Sequence, residues 1–147
     1  MLRSGWRPGP AGALLGDLAA PGGVRDGVPG RLNGPLLVSV TDFTSDTYRA
    51  LPGIARRGLR LRRRWPELDQ AVGMWLWAVP SARRCGAVSV WTGRRGLAEF
   101  VRLPEHVVIM DEYRGRGTIR SVILEYENVD AAHIRRDAEA WLRSGGR

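Results

Sequence analysis

The chain has 147 residues, 44% hydrophobic and 26% charged, a length and balance that suit one folded domain with a real core. Its longest apolar runs fall well short of the roughly 18 residues of a membrane span, and the mildly apolar stretch 11–20 is broken by Gly12, Gly16 and Asp17, so neither membrane insertion nor export is expected. The net charge is +8 and every basic residue is arginine, which raises the question of an anionic partner that the elements below must answer.

Residues 1–34 are crowded with glycine and proline and show neither helical nor strand periodicity. Such a stretch buries too little apolar surface to offset its ordering entropy, so it reads as a disordered leader, with the folded domain spanning 35–147. The β-branched, apolar run 36–43 is a first strand. A helix follows, with Pro52 in its first turn, where a missing N–H costs nothing. Leu51, Ile54, Ala55, Gly58, Leu61 and Trp65 share one face of it, and Arg56, Arg57, Arg60, Arg62, Arg63 and Arg64 fall largely on the other. That arginine run reads as a solvated outer face. Nucleic-acid binding is not expected, because no recognition motif accompanies it.

Residues 71–79 form a second strand and 85–91 a third, joined by a hairpin-length link. Cys85, at the start of the third strand, is the only cysteine. It excludes an internal disulfide, leaves no cysteine framework for zinc, and fits a reducing cytoplasm. A helix carries Leu97, Phe100 and Val101, and Pro104 restarts it as a second piece running to Tyr113. Gly115 and Gly117 close that piece. Residues 119–126 are the fourth strand, and a last helix over 130–143 carries Ala131, Ile134, Ala138 and Trp141 on its apolar stripe. The order β-α-β-β-α-β with a C-terminal helix is the ferredoxin-like, split βαβ plan of an α+β protein.

The second strand is apolar on both faces, with Trp75 and Trp77 on one of them. An antiparallel sheet with helices on a single side should show a polar second face, so these indoles require a cover. A second subunit, a ligand, or both would supply it, and the expected assembly is a homodimer whose sheets face each other.

The segment Ser89-Val90-Trp91, then Leu97, Phe100-Val101 and His106, resembles the signature of the dimeric α/β-barrel superfamily, in the form seen in spheroidene monooxygenase-like proteins. Antibiotic-biosynthesis monooxygenases and haem-degrading monooxygenases are more distant members. The resemblance covers about residues 35–126. It implies a dimeric α/β barrel and a small monooxygenase-like activity on an aromatic or polyketide-like molecule. In cofactor-free members, a base deprotonates an electron-rich substrate that then reacts with oxygen itself. No cofactor is therefore expected, although haem is the one that the superfamily allows. The spacing from Trp91 to His106 is longer than in the haem-degrading branch, so that branch's iron-ligand role is not carried over.

On this reading His106 and Trp91 are the candidate catalytic residues. Trp75, Trp77, Phe100, Met110 and Tyr113 would line an apolar pocket for a flat hydrophobic molecule, with Arg114 and Arg116 holding an anionic edge. Each also has a plainer role. His106 could simply bond a nearby carbonyl, Trp91, Phe100 and Met110 could be core, and His133 could be a solvated surface residue. Asp42, at the end of the first strand, could face the pocket or cap the following turn. Two further functions stay open: a non-catalytic haem- or ligand-binding protein of the same fold, and a basic nucleic-acid-binding domain.

Overall fold

The computed structural model describes residues 1–17 and 31–145. Its elements in chain order are β1 (Leu2–Arg3), β2 (Arg7–Pro8), α1 (Pro10–Leu15), β3 (Gly16–Asp17), β4 (Arg31–Ser45), α2 (Leu51–Arg63), β5 (Ala71–Val79), β6 (Arg84–Trp91), α3 (Arg94–Val101), α4 (Pro104–Tyr113), β7 (Gly117–Asp130) and α5 (Ala131–Ser144). The four long strands lie in the order β5-β6-β4-β7, every neighbour antiparallel, which is the ferredoxin-like arrangement expected of an α+β chain of this pattern.

Side chains alternate across this sheet and feed two separate cores. On one face, Leu37, Met74 and Trp91 pack against Leu61 of α2, Trp65 in the turn just past it, and Phe100 of α3. On the other, Leu36, Val38, Val40, Trp75, Trp77, Val88 and Val90 pack against Ile134, Ala138 and Leu142 of α5. A bulge in β5 between Ala71 and Gly73 adds one residue and turns Val72 to the same side as the two tryptophans.

The expected disordered leader is corrected over residues 1–17. β1 and β2 extend the sheet beside β5, with Leu2 opposite Ala78 and Arg7 opposite Met74. Trp6 is buried, its ring 5.9 Å from that of Trp75. Gly73 makes this seat: a Cβ there would lie 1.9 Å from the Trp6 ring. Arg3 pairs with Glu139 of α5 at 3.1 Å, and Arg62 of α2 donates to the Gly5 carbonyl at 3.1 Å. One large aromatic, placed where the strand lacks a side chain, holds this segment despite its glycine-rich composition. The remainder of the expected leader up to residue 30 lies outside the described residues. β4 then starts at Arg31 rather than near Pro35.

The cover required by Trp75 and Trp77 is thus supplied within the chain, by Trp6, Ala11 and α5. The burial of the two indoles does not call for a second subunit.

Candidate functional site

His106 sits in the first turn of α4, half-buried, with its ring edge-on to Phe100 at 5.0 Å between centroids. Pro104 occupies the start of this helix, where its ring suits the first turn. Phe100 belongs to an aromatic cluster. Trp65 lies 5.3 Å from it and 4.7 Å from Trp91, and Trp91 lies 5.4 Å from Phe100. Trp65 and Trp91 are wholly buried.

The Trp91 indole N–H donates to Ser89 Oγ at 2.9 Å, so this residue has its hydrogen bond and packs as core. The Nδ1 atom of His106 is buried and has no hydrogen-bond partner, and the same holds for the Trp65 Nε1. Burial lowers the His106 pKa below the ordinary value of 6.5, and a hydrogen bond of the ring with the Val101 backbone opposes that shift in part. The ring is therefore neutral at pH 7. A neutral imidazole with an unused nitrogen can accept a proton, accept a hydrogen bond from a ligand, or ligate a metal.

Next to it, Glu105 pairs with Arg64 at 3.0 Å and fastens α4 to the end of α2. The carboxylate's other oxygen is buried and without a hydrogen-bond partner. Sequence reasoning did not single out Glu105 or Trp65 as polar groups near the site, since one reads as a surface helix charge and the other as a stripe residue.

The expected apolar pocket of Trp75, Trp77, Phe100, Met110 and Tyr113 does not form as one lining. Trp75 and Trp77 face α5, on the opposite side of the sheet from Trp91 and Phe100, because strand parity places them there. Trp77 Nε1 donates to the Thr41 carbonyl at 3.1 Å. Met110 is 38% exposed on the outer side of α4. Tyr113 is buried beside Phe43, 6.2 Å away in an edge-on contact. Arg114 is exposed at the end of α4 and reaches Asp111 at 3.4 Å, and Arg116 is exposed in the following turn, so neither lines an anion cradle. Of the predicted set, the fold brings together Trp91, Phe100 and His106.

Asp42 neither faces this cluster nor caps a turn. It is 2% exposed on the α5 side of the sheet. Arg84 grips it through Nε at 3.1 Å and Nη2 at 2.6 Å, and Arg120 through Nε at 2.8 Å. The Nη2 atom of Arg84 also donates to the Leu142 carbonyl at 2.7 Å, and that of Arg120 to the Trp141 carbonyl at 3.2 Å, which satisfies the last turn of α5.

Cys85 shows no sign of nucleophilic use. Burial first, and the Asp42 charge second, push its thiol up to about 11. In the native protein at pH 8, alkylation of Cys85 by iodoacetamide should run at least 10-fold slower than in the urea-unfolded chain. Mass spectrometry of timed aliquots checks this, since only the thiolate reacts.

Elsewhere, an open groove of about 500 Å³ at one end of the sheet is lined by Pro35, Leu36, Leu37, Thr92, Gly93, Arg94, Glu125, Tyr126 and Glu127, none of them a predicted site residue. Among the described residues, no helix is long and apolar enough to cross a membrane, and no group of three or more His, Cys, Asp and Glu residues is placed to hold a metal ion.

No protein-family profile matches the sequence, and no curated protein matches it. Solved structures do. A Nitrosomonas europaea protein provisionally named an antibiotic biosynthesis monooxygenase matches with a TM-score of 0.54 at 8% identity, covering 65% of this chain and 92% of its own. A Shewanella oneidensis protein matches at 0.52 and 15% identity, covering 64% and 93%. A Lactobacillus acidophilus protein provisionally named a monooxygenase matches at 0.50 and 6% identity, covering 67% of this chain and 50% of its own. At these identities the likeness shows the fold alone: the chain shares the ferredoxin-like α+β architecture of these proteins.

Proposed function

We propose that this protein is a monooxygenase-like enzyme in which the neutral His106 imidazole takes a proton from an aromatic or polyketide-like small molecule bound beside Phe100. The observation that carries this reading is the buried, unpaired Nδ1 of His106 next to an aromatic ring. An orphaned buried nitrogen is costly unless a ligand or water uses it. The names of the Nitrosomonas and Lactobacillus proteins of the same fold support the reaction class.

The chemistry needs a base and dioxygen. Removal of a proton from an activated CH2 leaves a carbanion that passes electrons to O2. One oxygen atom stays on the carbon as a carbonyl, and the other leaves as water with the two hydrogens of the CH2. His106 Nδ1, buried beside Phe100, accepts the first proton away from bulk water.

The test is oxygen consumption and product mass with hydroxylated anthrone-type and naphthol-type compounds. Wild-type protein should turn over at least one of them, and His106→Gln should lower kcat/KM by about 10²- to 10⁴-fold, the usual contribution of a general base. The rate should rise with pH through a pKa below 6.5 and then level off, because the neutral ring is the active form. An unchanged rate in His106→Gln overturns the reading. A Soret shift on adding haem, lost in His106→Ala, would replace it with haem binding at the same nitrogen.

The same shift bears on stability. The folded protein resists protonation of His106 while the unfolded chain accepts a proton near 6.5. Stability present above pH 6.5 is therefore lost as pH falls through 6.5 toward the folded-state value. Urea midpoints measured between pH 7.5 and 5 should show this slope in wild type, and His106→Gln should flatten it.

A further inference from the structure

The arginines of α2 and of its C-terminal cap, Arg64, divide into two sets that the sequence run conceals. Arg57 pairs with Glu112 of α4, Arg62 donates to the Gly5 carbonyl, and Arg64 pairs with Glu105 at 3.0 Å and with Glu67 at 3.0 Å. These three bind α2 to its neighbours, Arg57 and Arg64 through the acidic side chains of Glu112, Glu67 and Glu105. Arg56, Arg60 and Arg63 lie at positions i, i+4 and i+7 on the exposed side of the helix, and among the described residues none of them is joined to an acidic group. Arg49 is exposed in the turn that leads into the same helix.

We propose that this stripe is a docking surface for duplex DNA, held through the phosphate backbone without reading its bases. From Arg56 to Arg63 the helix rises roughly 10 Å. Along one strand of a duplex, three phosphate steps rise about the same distance, at about 3.4 Å each. Guanidinium forks suit phosphate oxygens, and the +8 net charge draws a polyanion toward the protein at long range. Single strands are disfavoured because α2 itself presents no aromatic ring beside the stripe on which bases could stack, and the exposed Tyr48 next to Arg49 is engaged by Arg83 and the Ser81 carbonyl. A lipid surface is disfavoured because Leu59, 48% exposed, is the one large apolar side chain along this face of α2. The surface is independent of His106, so it stands or falls apart from the enzymatic reading.

Fluorescence anisotropy with a random-sequence 20-base-pair duplex, between 50 and 200 mM NaCl, tests it on the full chain. Log affinity should fall with log salt by about 0.9 per phosphate contacted. The triple variant R56Q/R60Q/R63Q should bind at least 10-fold more weakly at 50 mM salt, with a slope flatter by about 2 to 3. The variant R102Q/R116Q/R143Q, at exposed positions elsewhere and of equal net charge, should stay within about 2-fold of wild type. Circular dichroism confirms that both variants are folded.

Equal losses in the two variants would overturn the assignment to α2 in favour of net charge alone. An absence of binding at 50 mM salt would overturn it outright. Tighter binding to a single strand, or to phosphatidylserine vesicles, with the loss confined to the first variant, would give the stripe to that partner instead.

Discussion

Asp42→Ala is expected to lower unfolding stability by about 3–5 kcal/mol, the usual cost of removing one partner from a buried ion pair. The size follows from what is left behind. Arg84 and Arg120 converge on one carboxylate that is 2% exposed, and their own side chains are 14% and 34% exposed. Without Asp42, two guanidiniums face each other over the end of α5 with no anion between them. Their bonds to the Leu142 and Trp141 carbonyls would loosen as the arginines seek water. Arg120, stacked 4.0 Å from the Trp141 ring, would carry that indole with it. Urea denaturation followed by tryptophan fluorescence measures the loss. Asp42→Asn should cost less, since the amide oxygen still accepts, and a loss under about 1 kcal/mol in Asp42→Ala would show that the clamp is ornamental.

Trp6→Ala should cost about 3–5 kcal/mol, the range for emptying a large buried aromatic site. The side chain is 8% exposed, rests on Gly73 and meets Trp75. A disordered leader would predict a change near zero, so one equilibrium denaturation curve separates the two descriptions of residues 1–17. Gly73→Ala approaches the same seat from the other side: the added methyl collides with the Trp6 ring and should expel it. If both variants keep wild-type midpoints, the segment does not pack as described.

The four long strands, the kinked α3–α4 pair and α5 were legible because each carries its own period: alternation in the strands, threes and fours in the helices, with proline and glycine at the breaks. β5 and α4 run over the expected residues, Ala71–Val79 and Pro104–Tyr113. The N-terminal segment was not legible. Its hold on the sheet comes from two-residue strand pairings with β5, a single tryptophan and two long-range arginine contacts, and none of these leaves a periodic trace.

The site was half legible. Strand parity already separated Trp75 and Trp77 from Met74, yet which face the helices cover is settled by distant residues in α5 and around Trp6. The Asp42 clamp joins residues 42, 84, 120 and 142, which no local pattern connects.

The two cores also differ in when they can form. Trp91, Phe100 and Trp65 come from residues 65–100, so the face covered by α2 and α3 can begin to close while the chain is still being synthesised. The face bearing Trp75 and Trp77 takes Ile134, Ala138 and Leu142 from α5, which is made more than fifty residues later. Until then the nascent sheet exposes two indoles and a row of valines, the kind of surface that chaperones hold and that aggregates when they do not. Early docking of Trp6 against β5 would shield part of that surface before α5 arrives, giving the glycine-rich start of the chain a protective task during biogenesis as well as a place in the finished core.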